Sequence, residues 1–223
     1  DTLSSMSRIF IIIAVFCSFR GYSQFGFKAV STFPKNRIAQ ISTGNKLFPF
    51  ISGVGVDYWF RLKNYRLEFL PAVHFQYGHE RLDLDQNIEG VLNWSVIDFV
   101  PSVQFYPLDF FNDCSCPTFS KQGEFLKKGL FINITPGVAL SRLSSKQTSI
   151  NAVNETILFG RAGVGLDIGL SNLLTISPSV SYQLSQRLDW SDLFVTTTSN
   201  TLNIYSGVFV SLRVGMRLDK KNY

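Results

Sequence analysis

The segment LTISPSVSYQLSQ, residues 174–186, decides the fold class of this chain. It lies within an uncharged stretch, Ile168–Gln186, that is long enough to cross a bilayer as a helix. Every second residue from Thr175 to Gln183 carries a hydroxyl or an amide, whereas most residues between them are apolar. A helix would scatter these polar side chains around its circumference, but a strand gathers them on one face. The pattern therefore predicts a β-strand and argues against a helical span.

The same alternation recurs in seven other runs, which turn-like or polar segments separate. The eight runs cover residues 25–31, 48–60, 65–77, 97–105, 130–141, 158–168, 174–184 and 202–218. Most exceed the roughly 9–11 residues that a tilted strand needs to cross a bilayer. Their number is even, as is usual for bacterial membrane barrels.

The two faces of these runs differ in a way that distinguishes a membrane barrel from a soluble sandwich. One face is apolar, and its Phe and Tyr side chains lie near strand ends, where they would form girdles at the two membrane interfaces. The girdle residues are Phe48, Phe50, Phe75 and Tyr77 at one interface, and Tyr58, Phe60, Tyr65 and Phe105 at the other. The other face is rich in Gly, Ser, Thr, Asn and Gln, which suit a cramped interior. We predict an all-β, eight-stranded antiparallel up-and-down transmembrane β-barrel in the outer membrane; the alternative is a secreted sandwich or lipocalin-like barrel.

The composition agrees with a single membrane-embedded domain. The chain has 223 residues, 45% of them hydrophobic and only 17% charged, and 21 are Phe. This bias excludes disordered, collagenous and coiled-coil classes. The net charge of +5 is mild, and nothing in it points to nucleic acid.

The first 23 residues have the layout of a secretory signal. Arg8 is followed by an apolar run, Ile9–Phe19, that is short for a membrane span, and small residues precede Gln24. We expect cleavage between Ser23 and Gln24, so that residues 1–23 are upstream residues and signal and residues 24–223 form the barrel domain. Cys17 would suit a lipoprotein, but Phe16 precedes it where a small residue is usual.

Charged side chains on the polar face are expected to fill the lumen as an ion-pair network, because an eight-stranded barrel is just wide enough to be filled by side chains. This network is Lys28, Asp57, Arg66, Glu68, His74, Asp98, Arg161, Asp167, Arg213 and Arg217. A filled lumen favours a closed barrel; a narrow porin for small solutes is the alternative.

A short motif repeats at mid-strand, as Pro71-Ala-Val73, Pro101-Ser-Val103, Pro136-Gly-Val138 and Pro178-Ser-Val180. Proline cannot donate a hydrogen bond to a strand ladder, so we expect a local bulge or bend at each copy. A second repeat, Gly-Val-Gly-(Val/Leu)-Asp, occurs at Gly53–Asp57 and Gly163–Asp167.

Two thiols, Cys114 and Cys116, lie one residue apart in a long turn, Leu108–Lys128. In an oxidising compartment they could form a disulfide, bind a metal or cross-link to a partner. A closed zinc site needs four ligands and only Asp113 is adjacent, so we predict no metal and no cofactor.

Two features could serve catalysis: His74 faces inward, and His79-Glu80 lies where a strand leaves the membrane. No nucleophile motif surrounds any serine, and an inward histidine is more often a satisfied interior residue. The chain is therefore predicted not to be an enzyme.

Several of these features together resemble the small outer-membrane β-barrel proteins of Bacteroidota, a PorT-like or "porin family" group. They are the signal ending in Ser-Gln, the eight strands, the Pro-x-Val repeats, Phe105-Tyr-Pro-Leu-Asp109 and a glycine-rich last strand. The resemblance implies a cell outer-membrane location, insertion by the barrel-assembly machinery, and contact with outer-membrane lipid.

With the mature N-terminus in the periplasm, the segments near residues 33–47, 78–92, 144–155 and 189–200 would be extracellular loops. The expected role is structural, adhesive or accessory to secretion, through these loops and the periplasmic turn Leu108–Lys128. The turn's partner would be a periplasmic or secretion-system protein.

Overall fold

The computed structural model describes residues 24–35, 48–61, 67–85, 88–108, 129–145, 152–171, 173–187 and 204–217. This part of the chain forms ten β-segments. They are β1 Gln24–Pro34, β2 Ile51–Tyr58, β3 Phe60–Arg61, β4 Leu67–Asp85, β5 Ile88–Phe105, β6 Leu130–Ser145, β7 Val153–Leu166, β8 Ile168–Gly169, β9 Leu174–Arg187 and β10 Ile204–Arg217. No helix among the described residues is long and apolar enough to cross a membrane.

The ten segments make eight barrel strands. Trp59 alone separates β2 from β3, and Asp167 alone separates β7 from β8, so each pair continues one strand. Neighbours along the chain pair antiparallel, and β10 pairs with β1 from Gln24↔Arg217 to Pro34↔Gly207, which closes the sheet. The predicted eight-stranded antiparallel barrel is confirmed. We call the end that holds Gln24 and Arg217 the terminal end, and the opposite end the distal end.

Side chains alternate between the barrel interior and its outer surface, as the period of two predicts. In β9, Ser177, Ser181 and Gln183 are buried inside, whereas Tyr182 and Leu184 are exposed outside. The other strands repeat this arrangement, so the outer surface is a band of exposed Phe, Leu, Ile and Val. A soluble protein would bury such a band. An apolar exterior around a polar interior is the arrangement of a barrel that crosses a membrane.

A substitution of Ile134 tests whether the apolar band faces lipid, because the Ile134 side chain is 63% exposed on the outer face of β6. Replacing Ile134 with Arg is expected to lower the free energy of unfolding in a bilayer by about 2–4 kcal/mol, since a cation would enter hydrocarbon. Urea unfolding in lipid vesicles, followed by the gel mobility of the folded barrel, measures the change. Ile134→Leu is the matched control and should change little. Equal stability of the Arg variant would contradict a lipid-facing site.

The four mid-strand prolines do not produce the register shift that a bulge would cause, so the expected bulges are absent. Pairing between β5 and β6 keeps one register from Phe99↔Val138 to Val103↔Ile134, with a gap in which Pro101 lies opposite Pro136. Register shifts occur elsewhere, between Asp83 and Asp85 and between Ile204 and Ser206. The prolines therefore interrupt hydrogen bonding without displacing the strands.

The two strand breaks have the same cause. Strand β4 pairs with β2 as far as Ala72 and pairs with β3 from Phe69 onward. Pro71 lies in the gap between these two stretches of pairing, beside the break at Trp59. Strand β9 pairs with β7 as far as Ser179 and pairs with β8 from Ile176 onward. Pro178 lies in the gap between these two stretches of pairing, beside the break at Asp167. Because proline has no backbone N–H, the facing strand loses a partner at that level.

Replacing the facing residues Pro101 and Pro136 is expected to increase the stability of the barrel. Replacing both residues with Ala supplies two backbone N–H donors at mid-band, and we expect the free energy of unfolding to rise by about 1–2 kcal/mol after the greater flexibility of the unfolded chain is subtracted. Urea unfolding in vesicles checks this. Pro107→Ala is the control. Pro107 lies at an exposed position after β5, so the added backbone N–H forms no hydrogen bond within a strand ladder. A double variant less stable than the wild type would show that the prolines serve the strand geometry instead.

The segment expected to be the loop 78–92 is a hairpin. Strands β4 and β5 pair from Leu67↔Phe105 to Asp85↔Ile88, whereas β6 pairs with β5 no further than Leu92. The ribbon Arg81–Val91 therefore extends about five residues, or roughly 17 Å, past the last pair that β5 makes with the described residues of β6 at the distal end. The alternation of polar and apolar residues weakens there, which is why the sequence suggested a loop.

Candidate functional site

The interior of the barrel is the candidate site, and its middle holds a cluster around Asp98. His74 and Asp98 are directly paired across β4 and β5, and the Nδ1 atom of His74 lies 2.5 Å from Oδ1 of Asp98. The other carboxylate oxygen accepts hydrogen bonds from Arg161 Nη2 at 2.9 Å and Gln76 Nε2 at 3.1 Å. All four side chains are buried. One carboxylate thus joins strands β4, β5 and β7 from inside the barrel.

Arg161 is held on more than one side. Its Nε atom donates to Gln183 Oε1 at 2.7 Å, which adds β9 to the cluster. The guanidinium carbon lies 4.4 Å from the ring centroid of Phe159 and 3.9 Å from that of Phe209. Stacking on aromatic rings stabilises a guanidinium that is removed from water.

A second cluster lies nearer the terminal end, where Arg213 contacts Asp57. The Nε atom of Arg213 donates to both carboxylate oxygens at 2.9 Å, and its Nη2 atom lies 2.7 Å from Oδ1. Lys28 Nζ approaches the same carboxylate at 3.9 Å. The contact between Arg213 and Asp57 links β10 to β2 across β1.

A third cluster lies at the terminal end around the fully buried Tyr106. Its hydroxyl lies 2.8 Å from Oε2 of Glu68 and 2.6 Å from Oδ2 of Asp167. Trp59 Nε1 also donates to Oε2 of Glu68, and Ser177 Oγ donates to Asp167. Trp59 and Asp167 are the residues that interrupt the two broken strands, so both breaks contribute to this cluster.

Glycines make room for the large interior side chains. A Cβ atom on Gly55 would collide with the His74 ring, and one on Gly165 would collide with the ring of Phe131. His74 and Phe131 are the cross-strand partners of these glycines. The two Gly-rich repeats therefore have the same geometry, with a glycine beside a ring and an aspartate two residues later in the interior.

The distal half of the interior contains an apolar cluster, which the polar character of the inward face did not predict. Its cluster is Phe48, Ile51, Ala72, Leu92, Trp94, Val96, Val100, Ala139, Leu143, Ile157 and Phe159. Trp94 fills the centre with 1% of its surface exposed, and its Nε1 atom donates to Ser141 Oγ at 2.7 Å. This cluster packs the lumen above the charged residues.

The assignment of Phe48 to the outer aromatic girdle is wrong. Its ring is 1% exposed and lies 5.4 Å from that of Trp94, inside the distal mouth. Phe48 precedes β2 and has a φ of 52°, so the alternation of β2 does not extend to it. This backbone conformation is strained for a bulky residue, and burial of the ring against the apolar cluster offsets the strain. Phe50, Phe60, Phe75 and Tyr77 are exposed on the outer face.

Among the described residues, the lumen holds two small cavities, each of about 20 Å³. The one toward the terminal end is lined by Lys28, His74, Arg213 and several hydroxyls, and the one toward the distal end by Trp94, Ile157 and Gln183. Arg161 lines both and therefore lies between them. Each volume holds roughly one water molecule.

Eight of the ten residues predicted for the lumen have described side chains: Lys28, Asp57, Glu68, His74, Asp98, Arg161, Asp167 and Arg213. Arg66, the Arg217 side chain, Cys114, Cys116 and Ser23 lie outside the described residues. Gln24 begins β1, and its carbonyl accepts a hydrogen bond from the Trp59 amide at 2.9 Å.

Sequence reasoning missed Trp94 and Tyr106 as interior residues. Trp94 lies on β5, whose even-numbered residues point inward, and Tyr106 continues this alternation one residue past the end of the strand. In the described ranges, no group of three or more His, Cys, Asp or Glu side chains is arranged to hold a metal ion.

Comparison with known proteins finds similarity in fold alone. No family model matches the chain, and no curated protein matches it. Neisserial surface protein A is similar with a TM-score of 0.47 at 10% identity, over 87% of this chain and 97% of that one. Ail of Yersinia pestis is similar with a TM-score of 0.45 at 11% identity, over 89% and 99%. The N-terminal barrel of Pseudomonas aeruginosa OprF has a TM-score of 0.41 at 13% identity, over 89% and 100%. The strand pairing and the apolar exterior themselves establish that this chain is a small, closed, eight-stranded β-barrel of the outer-membrane type.

Proposed function

We propose that this protein is a closed, non-enzymatic outer-membrane barrel whose role is structural, adhesive or accessory to secretion. The observation that carries the proposal is the filled lumen. Three polar clusters and one apolar cluster occupy it, and the two cavities of about 20 Å³ are separated by Arg161. The described residues, packed in this way, leave no water-filled path for solutes through the lumen, and on this proposal function resides in the segments outside the membrane.

The projecting ribbon Arg81–Val91 supports a surface role. It carries both signs of charge. Arg81 lies opposite Val91 in the ribbon, and Glu89 lies opposite Asp83. Its backbone pairing orders this ribbon, and an ordered segment binds a partner at a lower entropic cost than a flexible loop does. The turn Leu108–Lys128, with Cys114 and Cys116 as a candidate disulfide, is the proposed periplasmic contact for a secretion-system or envelope protein.

The wider assignment follows from the same pattern. We propose kinship with the PorT-like small barrels of Bacteroidota, export by a signal cleaved between Ser23 and Gln24, and insertion by the barrel-assembly machinery. The Pro-x-Val repeats and the two Gly-rich repeats support this kinship. Outer-membrane lipid contacts the exposed apolar band.

Conductance in planar lipid bilayers tests the closed state. The refolded protein is expected to insert without discrete current steps in 1 M KCl. The matched comparison is Arg161→Ala, which joins the two cavities and so reports whether the method detects a loosened lumen. Regular, salt-dependent steps from the wild type would instead support the narrow porin.

The proposed partner contact needs a separate experiment. Co-purification from envelopes with and without residues 109–128 should lose a periplasmic partner in the deletion, while the gel mobility of the folded barrel is unchanged. A matched deletion of Arg81–Val91 distinguishes the two surfaces. If the wild type and both deletion variants co-purify the same partners, the turn has no accessory role.

A further inference from the structure

The apolar band gives way to polar side chains on the outer face of β4, β5 and β6. One row of exposed apolar residues lies side by side on these strands: Phe75, Ile97 and Leu140. Two residues nearer the distal end, the next outward-facing row carries polar groups: Tyr77, Ser95 and Arg142. A strand rises about 3.4 Å per residue, so the polar row lies within about 7 Å of the apolar one. It therefore falls at the depth of the lipid headgroups.

Two arginines occupy this polar edge. Arg142 belongs to the row itself, and Arg81 lies four residues beyond Tyr77 on the same face of β4; both side chains are exposed. Neither guanidinium has an ion pair or a hydrogen bond with the described residues. Every Asp and Glu whose side chain is described occupies an inward-facing position. Asp83 and Glu89 pair beyond Arg81, on the side away from the band. Positive charge therefore lies next to the apolar band.

Three side chains beside Arg142 hold one another in place. The Tyr77 hydroxyl donates to Oδ1 of Asn93 at 2.6 Å, and Nδ1 of His79 lies 2.9 Å from the same oxygen. An amide oxygen can only accept, so Nδ1 of His79 carries a hydrogen and donates it. The Nδ2 group of Asn93 has no bonded partner among the described residues. Asn93 thus presents two N–H groups from a fixed position.

Asn93 and Arg142 are close enough to bind one ligand. Ser95 lies directly opposite Arg142, so Asn93 is the diagonal neighbour of Arg142 across β5 and β6. Diagonal neighbours in an antiparallel pair are roughly 7–8 Å apart. The long Arg142 side chain spans that distance, so its guanidinium and the Asn93 amide can contact the same group of oxygen atoms.

The chemistry of this cluster suits a phosphate. We call the cluster the distal corner, and its members are Tyr77, His79, Arg81, Asn93 and Arg142. A guanidinium presents parallel N–H groups that match two phosphate oxygens. Anionic lipids carry phosphate at headgroup depth and attract Arg and Lys near the membrane surface. Charge, donor geometry and depth therefore agree on the same ligand.

We propose that the distal corner binds the headgroup phosphate of an anionic membrane lipid. Arg142 and Asn93 donate to its oxygens, and Arg81 adds a positive charge farther from the bilayer centre. The acyl chains of the same lipid pack on the apolar row of Phe75, Ile97 and Leu140. The inference goes beyond the proposed function, because it requires that the apolar band faces lipid and not that the lumen is closed.

Native mass spectrometry of the full barrel in detergent tests the site. The probes are dioleoyl-phosphatidylglycerol and dioleoyl-phosphatidylcholine, which share their acyl chains and differ in net charge. One phosphatidylglycerol should bind more tightly than phosphatidylcholine does. Arg142→Gln should raise the Kd for phosphatidylglycerol about fivefold, the effect of losing one cation near an anionic lipid. Arg142→Lys keeps the charge without the paired N–H groups and should lose less.

Lys35→Gln is the matched control, because it removes an exposed cation that follows β1 at the same end, outside the distal corner. It should leave the Kd unchanged. Equal affinity for the two lipids, or equal losses for Arg142→Gln and Lys35→Gln, would overturn the site. Displacement of the lipid by an equal concentration of inorganic phosphate would overturn a lipid as the source of the phosphate. If Arg142→Gln does not fold, Asn93→Asp serves in its place, and an unchanged Kd for that variant would contradict the proposal.

Discussion

Replacing Asp98 with Ala is expected to lower the free energy of unfolding by about 3–5 kcal/mol, because it leaves three buried groups without their shared carboxylate. Asp98 is fully buried and accepts hydrogen bonds from Arg161 and Gln76 while it contacts His74. The Arg161 guanidinium would keep its bond to Gln183 and its ring contacts but would lose the carboxylate contact of Asp98. Urea unfolding in vesicles, followed by gel mobility, measures the loss.

Two further variants separate charge from packing at this site. Ser95→Ala, on the exposed face of the same strand, is the control and should change stability by less than about 0.5 kcal/mol. Replacing Asp98, His74 and Arg161 together with apolar residues of similar size should restore much of the stability, since a whole buried ionic group is often replaceable. A triple variant as unstable as Asp98→Ala would attribute the effect to shape instead.

Replacing Trp94 with Ala is expected to lower the free energy of unfolding by a similar amount, about 3–5 kcal/mol, through a different mechanism. The indole is the largest side chain in the apolar cluster, and it contacts Phe48 and bonds to Ser141. Its removal opens a cavity that the closed sheet cannot collapse to fill. Circular dichroism through a urea titration measures the change without relying on Trp fluorescence.

The lipid-facing residue Phe99 supplies the comparison for Trp94. It lies on the same strand with its ring exposed on the outer face. Phe99→Ala should cost less, because fluid acyl chains fill the space that the ring leaves. Trp94→Phe should also cost less, about 1–2 kcal/mol, since the ring remains while Ser141 loses its donor. Equal losses for Trp94→Ala and Phe99→Ala would mean that the distal interior is not tightly packed.

The inward or outward direction of most side chains could be predicted from the sequence. Ser177, Ser181 and Gln183 lie inside and Tyr182 and Leu184 outside because successive residues of a strand point to opposite faces. The same rule put His74 and Asp98 in the interior. Their direct contact could not be predicted, because it depends on the register between β4 and β5, which their turn sets.

Phe48 and the prolines mark where the alternation rule fails. Phe48 lies outside the regular strand, so its direction follows from tertiary packing against Trp94 and not from the period of two. The prolines were expected to shift the register, but closure of the sheet constrains each strand from both sides. Losing a few hydrogen bonds opposite Pro101 and Pro136 therefore disturbs the barrel less than displacing a whole strand would.

The fold class, the number of strands and the two faces of each strand were determined by the sequence alone, because they follow from local covalent geometry and the distribution of apolar residues. Only the tertiary structure decided which interior residues meet. The contact between Arg213 and Asp57 joins residues 156 positions apart, and the distal apolar cluster draws on five different strands together with Phe48. Such contacts depend on register and closure, which are properties of the whole sheet and not of any one strand.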